Sequence, residues 1–289
     1  MYASFITDEA SQVPFQFIGL AHRHGIANVE LRSVLGRPAD MLTEAERVGL
    51  RQALHDGGLA VCCIAASIFK CQLEDREKEF PRLERAIECA AYFSAPLVRV
   101  FSFWRRQDRV RHGTAIADAL HRAGELARPA GVRLGIENGR KTMHCTGAEL
   151  GGLLAKLDPE VHSAVWDPAN SIFGGTDAEP VKNGYAKVAK WVAHVHVKDP
   201  KRLPDGSQRY VPLGQGDLPW DEQIRRLRAD HYRGTLSLET HWRHGRVIAD
   251  ADLDRPAGES FSEGGYSATS ASLRVLTEML LKEAPLGHV

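Results

Sequence analysis

The sequence predicts a single (β/α)₈ TIM barrel spanning residues 1–289, and three observations carry that prediction. Short apolar stretches alternate with longer, charged, helix-like stretches from end to end, the order expected of strand–helix units around a parallel sheet. Eight such units are present, and no Pro-, Gly- or Ser-rich linker divides them, so they close most economically as one barrel. The strand-to-helix turns also lack a Gly-x-Gly-x-x-Gly phosphate fingerprint, which disfavours the runner-up, a doubly wound open sheet.

The expected strands are Tyr2 to Ile6, Asn28 to Leu31, Ala60 to Ala65, Leu97 to Val100, Arg133 to Glu137, Ser163 to Trp166, Val192 to Val197 and Thr235 to Glu239. Expected helices lie near 12–24, 43–56, 74–95, 109–129, 146–157, 181–190, 219–230 and 269–283. Thr43 stands three residues before Glu46, the spacing of a capping box, and Gly57 and Gly58 supply the stop of the same helix. Pro200 to Trp220 and His241 to Ser267 are too long for simple connections; on a barrel such loops lie over the catalytic face.

Composition narrows the function. With 43% hydrophobic residues the chain can bury a large core, and 37 basic against 37 acidic residues exert no global pull on nucleic acid or an anionic membrane. The five cysteines include adjacent Cys62 and Cys63 in an apolar run, which reads as buried thiols of a reducing compartment. No signal peptide or membrane span is apparent, so a cytoplasmic protein is expected. A small-molecule substrate, with neither nucleic acid nor membrane as partner, is the corresponding expectation, and a homo-oligomer is compatible with it.

Side-chain alternation locates the chemistry. In Trp-Val-Ala-His-Val-His-Val-Lys-Asp (191–199), His194, His196 and Lys198 share the face toward the barrel interior, while Val195 and Val197 face outward. Glu137 ends the fifth strand, Asp167 follows the sixth, His196 lies on the seventh and Glu239 ends the eighth. Three converging carboxylates without a cation would repel at a cost of several kcal/mol; one divalent metal relieves this. One imidazole and three carboxylates make a hard, oxygen-rich donor set suited to Mn²⁺ first, then Mg²⁺ or Co²⁺, with Zn²⁺ also admissible.

The segments Leu-Gly-Ile-Glu-Asn (134–138), Trp-Asp-Pro-Ala-Asn (166–170), His-Val-His-Val-Lys-Asp (194–199), Leu-Gly-Gln-Gly-Asp (213–217) and Leu-Ser-Leu-Glu (236–239) resemble, in order, those of the xylose isomerase-like barrel superfamily. Within it they are most similar to the branch of sugar isomerases, ketose 3-epimerases and inosose isomerases or dehydratases. The resemblance implies a metal held by Glu137, Asp167, His196 and Glu239, with Arg202, six positions after the metal His, on the substrate. Two departures stand out: the epimerases carry a His where this chain has Asn170, and a Glu where it has Met143.

The expected activity is proton abstraction next to a carbonyl in a sugar, keto-sugar or cyclitol, through an enediolate, with Glu137 and Glu239 as catalytic acid–base pair. Returning the proton gives an isomerase or epimerase; losing a β-substituent gives a lyase or dehydratase on an oxidised sugar or inosose, including 3-keto-glycosides. Candidate substrate contacts are Arg202, Lys198, His194, His144, Asn170 and Trp166. Lys141 in the loop after Glu137 and the aromatics Phe101, Phe103, Trp104 and Trp242 are weaker candidates, and Arg99 and Glu30 read as a buried ion pair low in the barrel. An apurinic-site endonuclease, which shares the superfamily, needs several zinc ions and a further His where Asn170 stands, and is the less favoured class.

Overall fold

The computed structural model describes residues 1–106, 109–174 and 177–282. Its centre is an eight-stranded parallel sheet: β1 (Tyr2–Phe5), β2 (Asn28–Leu31), β3 (Ala60–Ile68), β4 (Leu97–Val100), β5 (Arg133–Glu137), β6 (His162–Trp166), β7 (Val192–Val197) and β8 (Thr235–Leu238). Each strand from β2 to β8 pairs with the next, β1 pairs with β8, and a parallel bridge between Ile6 and Glu30 brings β1 against β2. The chain therefore folds as a (β/α)₈ TIM barrel, with helices between the strands.

The predicted alternation holds on β7. Val195 and Val197 are buried in the large apolar layer between strands and helices, whereas His194 and His196 are buried inside the barrel. Low in that interior, Cys63, Leu97 and Val165 form a small apolar plug. Gly135 admits it: a Cβ there would lie 2.6 Å from Val165 Cγ2. The polar residues above this plug therefore sit on a packed floor, which keeps water away from below.

The predicted capping box forms: Thr43 Oγ1 accepts from Glu46 N–H at 3.3 Å and Glu46 Oε2 accepts from Thr43 N–H at 2.8 Å. A second box joins Thr146 and Glu149 at the start of helix Gly147–Leu154. Other elements differ from expectation. The predicted helix 74–95 is a 3₁₀ turn, Leu73–Lys78, followed by helix Phe80–Tyr92, because Pro81 at the new helix's start has no N–H to continue the earlier turn. The predicted helix 181–190 breaks into a π-turn, Pro180–Gly184, and a short helix, Tyr185–Val188. There Gly147 lies so close to Gly184 that an added Cβ would stand 2.1 Å from the Gly184 carbonyl oxygen.

Both long loops carry structure. Asp199–Arg202 and Gln208–Val211 form an antiparallel hairpin, and the segment after β8 holds short helices Asp250–Asp254 and Gly258–Ser262. The last helix begins at Gly265, four positions before the predicted 269, and the predicted end at 283 lies outside the described residues. Among the described residues no helix is long and apolar enough to cross a membrane.

Candidate metal centre and active site

The carboxyl ends of β5 to β8 deliver their charged residues to one point. Glu137, Asp167, His196 and Glu239 are all buried, and one ligand atom of each lies within 4.8 Å of the others. Local structure aims each of them. Asp167 caps helix Pro168–Phe173, its Oδ1 accepting from Asn170 N–H at 3.0 Å, while its own backbone is clamped by Asn138. That cap explains a helix absent from the sequence expectation.

His196 is oriented from behind. Its Nε2 lies 3.1 Å from Glu30 Oε1, and the other Glu30 oxygen is 2.9 Å from His194 Nε2. The free edge of the ring, Nδ1, is 3.6 Å from Glu137 Oε2 and 3.8 Å from Glu239 Oε2. Neither His196 Nδ1 nor Glu137 Oε2 has a hydrogen-bond partner, although both are buried. Two buried polar atoms without hydrogen bonds, facing each other within a hard donor set, fit a divalent cation between them, with Glu30 supplying the carboxylate–imidazole support usual behind a metal His.

The charges are strongly coupled. Burial works against ionisation of Glu137, but Arg99 and His196 outweigh it and hold the carboxyl down at about 2. Burial likewise disfavours a charged His196, yet Glu30 and Glu137 lift its pKa to about 10. Nδ1 is also the atom a cation would need, so proton and metal compete for one position. Asp167 is pushed up to about 6 by burial, against the pull of Lys198. Lys198 Nζ lies 2.7 Å from Asp167 Oδ2 and bonds Glu239 Oε2.

Several expected residues stand where the sequence put them, in other roles. Asn170 borders the pocket and donates to Glu137 Oε1 at 2.8 Å and Asp167 Oδ2 at 3.0 Å. His194 is bonded to Glu30 one layer below and does not border the pocket. Trp166 points outward: it is fully buried, and its Nε1 donates to Gln223 Oε1 at 2.9 Å, so it is core rather than a sugar platform. Phe103 is core as well, whereas Phe101 and Trp104 border the pocket. His144 is half-buried and does not border it.

Arg202 departs most. It is exposed on the hairpin, its backbone N–H donating to Asp217 Oδ2 at 2.7 Å, and its side chain does not line the pocket. A strand advances about 3.3 Å per residue, so three residues of hairpin beyond Asp199 carry Arg202 roughly 10 Å further from the site. The expected Arg99–Glu30 pair is also absent. Glu30 serves the two histidines, while Arg99 Nη1 lies 3.2 Å from Glu137 Oε2 and Nη2 donates to Ala65 O at 2.8 Å.

Other residues around the donors escaped the sequence reading. Arg32 Nη1 lies 2.7 Å from Glu239 Oε1 and also pairs with Asp8 and Glu9, and His241 Nδ1 is 2.8 Å from Glu9 Oε1. Asp8, Glu9 and Arg32 follow the ends of β1 and β2, so the strand-end rule applied to the last four strands would have found them. Lys70, Tyr210 and Asp254 also line the pocket. Arg140 and Lys141 bind Asp254 at 2.7 and 2.6 Å, tying the loop after β5 to the segment after β8.

The chain belongs to the xylose isomerase-like TIM barrel family, whose profile matches residues 18–263. That family includes enzymes of isomerase, epimerase and dehydratase type. Among relatives, an inosose dehydratase 2 of Bacillus cereus is 32% identical over 138 residues, 43% of this chain and 45% of the relative. The match thus spans less than half the length of that curated relative. A zinc-binding IOLI protein superposes with a TM-score of 0.76 over 99% of this chain and 100% of its own, at 16% identity. A D-psicose 3-epimerase from Clostridium cellulolyticum H10, solved with D-tagatose, has a TM-score of 0.71 over 97% of this chain and 99% of its own, at 12% identity. At such identities these two solved structures speak for the fold alone.

Proposed function

We propose that this protein is a divalent-metal-dependent enzyme that removes a proton from the carbon next to a carbonyl in a sugar, keto-sugar or cyclitol, and returns it as an isomerase or epimerase. The observation that carries the reading is the buried four-residue cluster in which His196 Nδ1 and Glu137 Oε2 face each other without hydrogen bonds. Glu137, Asp167, His196 and Glu239 would hold the cation, and when bound it would polarise the carbonyl and stabilise the developing negative oxygen.

The chain's own groups divide the remaining work. Glu239 has one oxygen on Arg32 and the other on Lys198, whereas Glu137 Oε2 carries no hydrogen bond and stands 3.2 Å from Arg99 Nη1, so Glu137 is the better placed base and Glu239 the partner on the opposite side. Lys198, between Asp167 and Glu239, is placed to hold a substrate oxygen. Asn170 fixes Glu137 and Asp167 relative to one another.

The second reading is a lyase or dehydratase on an oxidised sugar or inosose, which shares the first proton abstraction. It is favoured by Met143: this position, a Glu in the ketose 3-epimerases that the chain resembles, is fully buried in the apolar core and offers no second acid to a sugar hydroxyl. The similarity to an inosose dehydratase points the same way.

The test is solvent-proton exchange in heavy water with Mn²⁺ across ketoses, inososes and 3-keto-glycosides. Deuterium at one carbon supports proton abstraction, and the product, epimerised, isomerised or eliminated, chooses the branch. Failure of every carbonyl substrate, together with cleavage of abasic DNA that is lost in Glu239→Gln, would replace this reading with the endonuclease one.

A further inference from the structure

The pocket lined by Glu137 and Glu239 is small in this structure, about 20 Å³, room for about one water. Leu253, Asp254 and Pro256 of the segment after β8 also line it. Lys70 and Pro256 also form a wall of a second cavity of about 290 Å³, near the lower end of the range in which small-molecule sites fall.

The lining of this second cavity is polar and incompletely satisfied. Asp40 is 6% exposed, and its Oδ2 has no hydrogen-bond partner. Among the described residues the Lys70 ammonium meets no carboxylate, hydroxyl or carbonyl and lies only against the rings of Phe101 and Trp104, at 4.8 and 5.9 Å from their centres. Arg255, exposed to solvent, also borders the cavity. Arg82, by contrast, is fixed on Glu79 at 3.0 Å, and Glu79 is fixed in turn by Phe69 N–H at 2.9 Å. Ser67 adds a hydroxyl.

We infer that this cavity is a second substrate subsite, joined to the metal pocket past Lys70, which takes a second polyhydroxylated ring attached to the reacting sugar. The inference rests on the proposed carbonyl chemistry and deepens it: the substrate is of glycoside size rather than a lone monosaccharide. Hydrogen bonding selects the occupant. Asp40 Oδ2 lacks a donor and Lys70 lacks an acceptor, and sugar hydroxyls are both. Arg32, Lys70, Arg82 and Arg255 outnumber Asp40 and Glu79 in the lining, so phosphate is the competing occupant that the test includes. A third cavity, about 370 Å³, shares Tyr210, His241 and Leu253 with the metal pocket, and a gain that survives Ser67→Trp would move the ring there.

The test measures binding, so that it does not depend on turnover. Ligand-observed NMR on the Mg²⁺-loaded protein compares glucose, 3-keto-glucose and an inosose with their β-glucosides and their phosphates. The expected result is that the two-ring members bind at least about tenfold more tightly than their one-ring counterparts, the effect of one or two added hydrogen bonds. Ser67→Trp, which fills the cavity, should abolish that gain and leave one-ring affinity unchanged. Arg255→Ala, on an exposed segment that tolerates truncation, should reduce the gain several-fold and guards against misfolding of the Trp variant. Equal affinity of one-ring and two-ring members, no binding by any two-ring member at millimolar concentration, a gain that survives both substitutions, or preference for the phosphates would each overturn the subsite. Absence of deuterium exchange with intact two-ring binding would instead count against the carbonyl chemistry alone.

Discussion

Glu30 and His196 are joined at 3.1 Å across the barrel, from the end of β2 to β7, and the bond turns the opposite ring nitrogen of His196 toward Glu137 and Glu239. Nothing local to the His-Val-His-Val stretch imposes that orientation; a residue 166 positions away does.

Purified protein is expected to carry about one divalent metal per chain, because among the described residues a single four-donor cluster includes buried atoms without hydrogen bonds. His196→Ala should lose metal and activity together. Elemental analysis of wild type and variant decides it; two or three zinc ions per chain, or a fully loaded His196→Ala, would show that the ligand set is wrong.

Glu30→Gln tests the orienting bond. The amide can still reach both rings but no longer carries the charge that favours His196, so metal affinity should fall about 10- to 100-fold. Titration with Mn²⁺ followed by calorimetry reads the change, and an unchanged Kd would reduce Glu30 to barrel packing.

Arg202→Ala should leave metal content, melting temperature and turnover nearly unchanged. The motif resemblance had suggested substrate binding, but the side chain is exposed on the hairpin and away from the pocket. A loss of kcat/KM greater than about tenfold would mean that the hairpin folds inward when substrate binds.

Lys70 should titrate far below an ordinary lysine. Burial comes first and the nearby Arg99 second in lowering its pKa to about 7 from 10.5. Between those values the unfolded chain holds the extra proton, so this residue's contribution to stability rises as pH increases through that window and is absent in Lys70→Met. Competitive acylation of Lys70 against pH measures the midpoint directly; a value near 10.5, the ordinary lysine value, would show that the ammonium is well solvated. Chemical denaturation of both proteins across the same range checks the sign.

Much of this was legible in the chain. Strand–helix alternation announced the barrel, period-two patterning separated the inward His194, His196 and Lys198 from the outward valines, and strand ends pointed to Glu137, Asp167, His196 and Glu239, because these signals depend on a few neighbouring residues and a fixed backbone geometry. Tertiary structure alone decided which partners those groups meet. Glu30 went to two histidines and Arg99 to Glu137, although alternation could say only that both face inward. Trp166 fell on the core side and Arg202 out on a hairpin, because a residue one place before Asp167 takes the opposite face and a loop's path is set by hydrogen bonds such as Asp217 to Arg202. Closure of the barrel sets β2 across from β7 and the loop after β3 beside the segment after β8, and contacts across such long sequence separations leave no periodic trace in the chain.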